Sequence, residues 1–171
     1  LVEGDENFTV TLGTPSNGVT LSGSPATGTI TNDDTATISI NDPTPVNEGN
    51  TGTATLNFTV SIDASDSANP ITVDYLISGG NEDGISSTLT FLMGTTIFSQ
   101  QVPVTTNGDT AVEEDENISV TLSTPSANAT ISATDNSGTS RFTDNDSAGL
   151  VINDIFVNEE DGTATFTITL N

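Results

Sequence analysis

The feature that most constrains this chain is a stretch of eleven residues that occurs twice, about 110 residues apart. Val2–Leu12 is Val-Glu-Gly-Asp-Glu-Asn-Phe-Thr-Val-Thr-Leu, and Val112–Leu122 is Val-Glu-Glu-Asp-Glu-Asn-Ile-Ser-Val-Thr-Leu. The similarity continues beyond this stretch, since residues 14–16 resemble 124–126, residues 32–34 resemble 144–146, and residues 52–55 are the same as 162–165. An internal period of this length indicates a chain built from repeated structural units.

The repeat divides the 171 residues into one complete unit and two partial units. We expect residues 1–34 to be the C-terminal part of one unit, residues 35–146 to be a complete unit, and residues 147–171 to be the N-terminal part of the next. On this division the chain is a window from a longer tandem array. A unit of about 110 residues can bury its own core, whereas the partial units cannot do so alone.

Within the complete unit, apolar and polar residues alternate with a period of two, which is typical of half-buried β-strands. Thr53–Ile62 and Ile71–Ile77 show this pattern, and Pro103 predicts that the strand around it lies at a sheet edge or contains a bulge. Phenylalanines such as Phe8, Phe58 and Phe166 are expected in the core. Short strands with frequent turn signals and no helical period predict an all-β fold, namely tandem antiparallel β-sandwiches of the immunoglobulin-like type.

The charge excludes several classes of function. The net charge is −23, with one arginine and no lysine, histidine or cysteine. Such a chain is not expected to bind nucleic acid or an anionic membrane, and it has no apolar run long enough for membrane insertion. Without histidine or cysteine, the usual general bases and nucleophiles are missing, so we do not expect an enzyme. Disorder is the alternative for so acidic a chain, but the regular alternation argues against it.

Four consecutive acids, Glu113-Glu114-Asp115-Glu116, lead directly into a strand pattern. Carboxylates this close repel one another, and the one arginine, Arg141, cannot neutralise them all. Oxygen ligands without histidine or cysteine favour Ca²⁺ or Mg²⁺ over zinc or copper. The alternative is that the acids form a solvated surface without a metal, and Asp66 and Asp74 are expected to be solvated or turn residues.

These elements, taken together, resemble the Calx-beta repeat family. The resemblance rests on residues 46–49 before a Gly-Thr-Ala-Thr strand, on residues 71–75 and 87–91, on the acidic run 113–116 before residues 118–122, and on the closing residues 144–146. The resemblance implies tandem β-sandwiches that bind Ca²⁺ at one tip. The ligands that it implies are Glu48, Asp109, Glu113, Glu116, Asp144 and Asp146 in the complete unit, Glu3, Glu6, Asp33 and Asp34 in the first unit, and Glu159 in the third.

Two positions depart from the family pattern. The segment Gly79–Ile85 is shorter than its counterpart in the family, which puts a ligand role for Asp83 in doubt. Asn145 stands where the family often has a third closing acid. The departure at Asn145 reduces the charge of the implied site.

The resemblance implies a structural role in an extracellular fibre or adhesin stalk at the cell surface. Ca²⁺ would stiffen the junctions, and the partners would be neighbouring repeats of the same chain or fibre. One alternative is a filament subunit that forms a homopolymer by strand exchange. Another is a Ca²⁺-sensing regulatory module of a larger protein, for which a site of ~10⁻⁷–10⁻⁵ M affinity is expected instead of ~10⁻⁴–10⁻³ M.

Overall fold

The computed structural model describes residues 2–171, which form β-strands joined by loops and short 3₁₀ turns. The strands are β1 (Glu6–Val10), β2 (Ala26–Ile30), β3 (Ala36–Ile40), β4 (Val46–Asn47), β5 (Thr53–Ile62), β6 (Ile71–Ser78), β7 (Ser86–Phe91), β8 (Ser99–Asn107), β9 (Glu116–Ser123), β10 (Ala129–Ile131), β11 (Ser137–Thr143), β12 (Leu150–Ile152) and β13 (Ile168–Leu170). The 3₁₀ turns are Gly80–Glu82 and Glu159–Asp161. The all-β prediction is confirmed.

Strands β3 to β11 form two sheets. One has the order β10-β3-β5-β8, and the other has the order β4-β11-β9-β6-β7. Neighbouring strands are antiparallel except for two short parallel pairs, β10 with β3 and β4 with β11. Strand β8, which contains Pro103, lies at the edge of its sheet as predicted, because an edge position does not require the missing N–H.

Alternating residues of both sheets pack into one hydrophobic core. Leu56, Phe58 and Val60 on β5 are buried, as are Val73 and Ile77 on β6. This burial follows directly from the period of two in the sequence. Gly138 on β11 allows the sheets to approach, because a Cβ atom at that position would lie 2.9 Å from Cδ1 of Phe58.

The two ends of the chain reproduce local pieces of this sandwich. Glu6 pairs with Ile30 on β1 and β2, in the same register as Glu116 with Phe142 on β9 and β11. Strands β12 and β13 likewise repeat the antiparallel pairing of β3 and β5. The prediction that Phe8 and Phe166 are core residues is wrong, since they are 52% and 56% exposed. Within residues 2–171, each of these end pieces is a two-stranded sheet, and both phenylalanines lie on these small sheets or beside them.

Among residues 2–171, no helix has the length and apolar character needed to cross a lipid bilayer. The helical structure of the described residues consists of two 3₁₀ turns of three residues each.

Candidate metal centre

The tip of the complete sandwich brings together loops that follow β4, β8 and β11. Val46 and Asn47 of β4 pair in parallel with Phe142 and Thr143 of β11. Parallel neighbours end at the same edge of a sheet, so Glu48 emerges beside residues 144–146. A backbone hydrogen bond from Glu48 N–H to the carbonyl of Thr143, 3.1 Å long, fixes this register.

Asp109 reaches the same place because the chain passes very close to β4 after strand β8. A Cβ atom on Gly108 would lie 2.1 Å from the carbonyl oxygen of Gly49 and 2.5 Å from that of Glu48. Such distances exclude any side chain without a backbone shift. Gly108 N–H also donates to the carbonyl of Gly52 at 3.0 Å. Glycine at position 108 therefore sets the close approach of Asp109 to Glu48.

Three predicted ligands form one compact group. Glu48, Asp109 and Asp146 each offer a carboxylate oxygen, and these oxygens lie within 4.8 Å of one another. Of the residues that the structure describes, these three make up the one group of acidic side chains that is arranged so tightly. Three carboxylate oxygens converging from separate loops are a geometry that a single cation can satisfy.

The electrostatics of the tip centre on Glu48. Its side chain is buried, with 7% of the residue exposed. Desolvation raises the pKa of Glu48, and the negative charges of the neighbouring acids Asp144, Glu113, Asp109 and Asp146 raise it further. Both effects mean that the ionised form of Glu48 is disfavoured until a positive charge is added at the tip.

The hydrogen bonding of the buried carboxylate oxygens indicates whether these residues suit a metal. Oε1 of Glu48 and Oδ2 of Asp146 are buried and make no hydrogen bond to a described residue. Buried polar atoms normally have a partner, so these two oxygens are free for a ligand. An oxygen donor set without imidazole or thiolate suits Ca²⁺ and Mg²⁺, and an irregular shell from several loops suits Ca²⁺ in particular.

Asparagine side chains hold the loops of the tip in place. Asn145 Oδ1 accepts a hydrogen bond from Gly49 N–H at 2.9 Å, and its Nδ2 donates to Oδ1 of Asn50 at 3.1 Å. Asn50 Nδ2 in turn donates to Oδ1 of Asp146 at 2.6 Å. Asn145 therefore ties the Glu48 loop to the Asp146 loop, which accounts for an amide where the family pattern has an acid. Sequence reasoning missed Asn50, because one asparagine in a polar turn carries no pattern.

The other predicted ligands of the complete unit lie around this group. Oδ2 of Asp144 accepts the N–H of Glu113 at 3.0 Å, and Oδ1 accepts the N–H of Asp146 at 2.8 Å. Glu116 begins β9, and its buried Oε2 also has no hydrogen-bond partner among the described residues. It lies near Gly80, where a Cβ atom would be 3.6 Å away. Glu116 therefore lies beside Gly80 and is not part of the three-carboxylate group.

The acidic run also carries the ion pair of the one arginine. Nη1 of Arg141 lies 3.5 Å from Oδ2 of Asp115, and both side chains are largely exposed. Oδ1 of Asp115 accepts the N–H of Asp144 at 3.2 Å. Asp115, which was not among the implied ligands, thus holds the closing loop and pairs with Arg141. In the first unit, Asn32 N–H donates to Asp5 in the same way at 3.0 Å.

The predicted ligands of the partial units are not gathered into such a group. Glu6 is an exposed residue at the start of β1, and Glu159 is exposed in a 3₁₀ turn. Glu3, Asp33 and Asp34 line a groove against the complete unit, together with Asp66 and Asn128. The structure therefore places Glu3, Asp33 and Asp34 against the loops that contain Asp66 and Asn128.

Asp66 is a turn residue, which is one of the two sequence-based expectations, but it is buried instead of solvated. It is 2% exposed, and it is held by hydrogen bonds from Asn128 and from the N–H groups of Ala68 and Asn69. Desolvation alone would raise the pKa of Asp66, but these hydrogen bonds outweigh it and lower the pKa.

Asp83, whose ligand role the sequence left in doubt, closes a turn, because its Oδ1 accepts the N–H of Gly79 at 2.9 Å.

Comparisons with known proteins agree with this architecture. A model of the Calx-beta domain family matches residues 1–44 and 32–146. A comparison with curated proteins gives no match. The apo form of the Calx CBD1 domain is similar in structure, with a TM-score of 0.51 and 18% identity, over 66% of this chain and 100% of that domain.

Two further solved structures are similar. CBD12 from CALX1.2 has a TM-score of 0.50 and 19% identity over 64% of this chain, which spans 45% of that structure. The calcium binding domain CBD12 of CALX1.1 has a TM-score of 0.46 and 20% identity, over 65% of this chain and 44% of that one. At these identities the first two similarities establish the fold. Because the family model matches more than half of its residues, the chain belongs to the Calx-beta domain family.

Proposed function

We propose that this chain is a Ca²⁺-binding structural segment of an extracellular fibre or adhesin stalk, in which the metal stiffens the junction between successive repeats. The observation that carries the proposal is the group formed by Glu48, Asp109 and Asp146, whose oxygens lie within 4.8 Å of one another. The chain also belongs to the Calx-beta domain family, for which Ca²⁺ binding is expected.

The position of the group supports a role at the junction. Asp146 is four residues from β12, where the next unit begins. A cleft beside the group is lined by Asp146, Asn50 and Val112 from the complete unit and by Leu170 and Asn171 from the following one. A cation bound to Asp146 would therefore restrain the segment that joins the two units. In a linear array, such restraints at each junction add up to a stiff rod.

The experiment measures the mobility of that junction. Cysteines replace Asn57 on β5 and Val151 on β12, both exposed, in a chain that has no native cysteine. Spin labels on the two cysteines report the distance distribution between the units by pulsed electron resonance. We expect a broad distribution in chelator and a narrow one in millimolar Ca²⁺, with no narrowing in equal Mg²⁺. An unchanged distribution in Ca²⁺ would refute junction stiffening.

Affinity separates the stalk from the Ca²⁺-sensing alternative. A site that works in a calcium-rich medium needs an affinity of only ~10⁻⁴–10⁻³ M, whereas a sensor needs ~10⁻⁷–10⁻⁵ M. Half-maximal narrowing of the distance distribution at submillimolar to millimolar Ca²⁺ would favour the stalk. Half-maximal narrowing below 10 µM would favour the sensor.

A further inference from the structure

Val2 is buried in a unit to which it does not belong by sequence. It is 1% exposed and is part of the hydrophobic core of the complete unit. Its sequence counterpart in the complete unit, Val112, is 56% exposed. Two valines at equivalent positions of the repeat therefore differ greatly in burial. Val2 is buried because it contacts the unit that follows it in the chain.

The contact is a backbone pairing as well as a side-chain insertion. Val2 and Asp66 form a parallel β-bridge, and the N–H of Ser67 donates to the carbonyl of Val2 at 3.0 Å. Gly4 lies directly against Ala68, since a Cβ atom on Gly4 would be 3.8 Å from the Cβ of Ala68. Three successive positions of the loop 66–68 are thus engaged by residues 2–4.

Asp66 builds the surface that receives Val2. Its Oδ1 accepts the N–H groups of Ala68 at 2.6 Å and Asn69 at 3.0 Å, so the loop is curled around the carboxylate. Its Oδ2 accepts Nδ2 of Asn128 at 2.7 Å, and its backbone carbonyl accepts the N–H of Gly94 at 2.7 Å. Charge-assisted hydrogen bonds of this kind are among the stronger ones in proteins.

These bonds join separate parts of the complete unit at one point. Asn128 also accepts the N–H of Ala36, the first residue of β3, through its backbone carbonyl at 3.0 Å. The loop after β5, the loop after β7, the loop before β10 and the start of β3 therefore meet around Asp66. A surface held from four sides is rigid before Val2 enters it, and a preorganised surface loses little conformational freedom on contact.

We propose that Val2 and the Asp66 loop, residues 66–69, form a metal-independent latch that fixes the complete unit to the unit before it. Val2 is the inserted side chain, and Asp66 is the positioning residue that shapes the receiving surface. The latch uses none of the grouped carboxylates Glu48, Asp109 and Asp146, which lie at the opposite end of strands β5 and β8. The partner that this surface fits is therefore the acidic-run segment of a repeat of the same kind.

The test compares Val2→Ala with the matched control Val112→Ala in the full chain, in chelator and in Ca²⁺. We expect Val2→Ala to lower the melting temperature of the complete unit by about 3–8 °C in both conditions, because a buried valine loses two methyl groups. In chelator, where the tip binds no metal, Val112→Ala should change it by less than about 1 °C, because exposed positions contribute little. Equal shifts for the two variants, or a shift for Val2→Ala in Ca²⁺ alone, would overturn the latch.

Amide hydrogen exchange supplies a second readout that does not depend on global stability. In chelator, the N–H of Ser67 should be protected in the parent chain, and Val2→Ala should raise its exchange rate at least tenfold relative to buried amides of β5. Asp66→Asn should raise the same rate less than Asp66→Ala does, because the amide oxygen keeps one acceptor. A Ser67 amide that exchanges freely in the parent would refute the latch. All of these results are obtained in chelator. They therefore test the latch even if the chain does not bind Ca²⁺.

Discussion

Asp146→Asn should have opposite effects on stability without and with Ca²⁺. The substitution is nearly isosteric, and the new side chain keeps an oxygen for the hydrogen bond from Asn50. It removes one negative charge from a group whose oxygens lie within 4.8 Å of one another. Two carboxylates at that distance repel each other by about 1 kcal/mol in a water-like dielectric, and by more where water is partly excluded. In chelator, the variant should therefore melt a few degrees above the parent chain.

With Ca²⁺ the order should reverse. At a Ca²⁺ concentration one hundred times the dissociation constant, binding stabilises the parent by about 2.7 kcal/mol. If the lost carboxylate weakens binding about 100-fold, the same Ca²⁺ concentration stabilises the variant by only about 0.4 kcal/mol. For a unit of about 110 residues, this difference corresponds to roughly 6–12 °C in melting temperature.

The assay is a thermal melt followed by circular dichroism, across a Ca²⁺ titration that starts in chelator. Asp74→Asn is the matched control, because Asp74 lies on β6, away from the tip. Its carboxylate accepts a hydrogen bond from the hydroxyl of Thr88. The control should follow the parent at every Ca²⁺ concentration. If Asp146→Asn is destabilised in chelator and responds fully to Ca²⁺, then Asp146 neither repels the other carboxylates of the tip nor binds the metal.

Two other predictions concern the same tip. Gly108→Ala should reduce the Ca²⁺-dependent rise in melting temperature by at least half, since its Cβ would lie 2.1 Å from the carbonyl oxygen of Gly49. Gly149→Ala, which meets open space, should leave that rise intact, and equal behaviour of the two variants would contradict the packing argument. In metal-free protein, the raised pKa of Glu48 means that the ionised side chain costs stability at neutral pH. Stability measured by urea unfolding should therefore increase as the pH falls from 7 through that pKa, which lies above the usual value of a glutamate. The increase should disappear in Glu48→Gln, and an identical pH slope in parent and variant would rule out Glu48 as its source.

The sequence predicted the sandwich because its strands carry a regular period. The bounds of β5, Thr53–Ile62, agree with the predicted segment, and the strand with Pro103 is at an edge. The short strands β4 and β10 were not predicted, since strands of two and three residues show no alternation. Local pattern defines long strands well, whereas short ones depend on partners that are distant in the chain.

For the candidate site, the residue types alone left the grouping open, and the family resemblance implied a larger ligand set than the three carboxylates that lie together. Glu48, Asp109 and Asp146 lie together because β4 and β11 end at the same edge and because Gly108 permits a close approach. The burial of Asp66, in contrast, could not be predicted from the sequence. One acid in a polar loop is normally solvated, and only the hydrogen bonds from Asn128 and the loop itself explain its burial.

Calorimetric titration of the metal-free chain with Ca²⁺, with Mg²⁺ as the competing ion, is the decisive experiment for a metal centre at the tip. We expect saturable Ca²⁺ binding with a dissociation constant of ~10⁻⁴–10⁻³ M. Asp146→Asn and Asp109→Asn should each weaken that binding at least tenfold, and Asp74→Asn should leave it unchanged. The absence of binding at several millimolar Ca²⁺, or equal binding by all three variants, would contradict a metal centre at the tip.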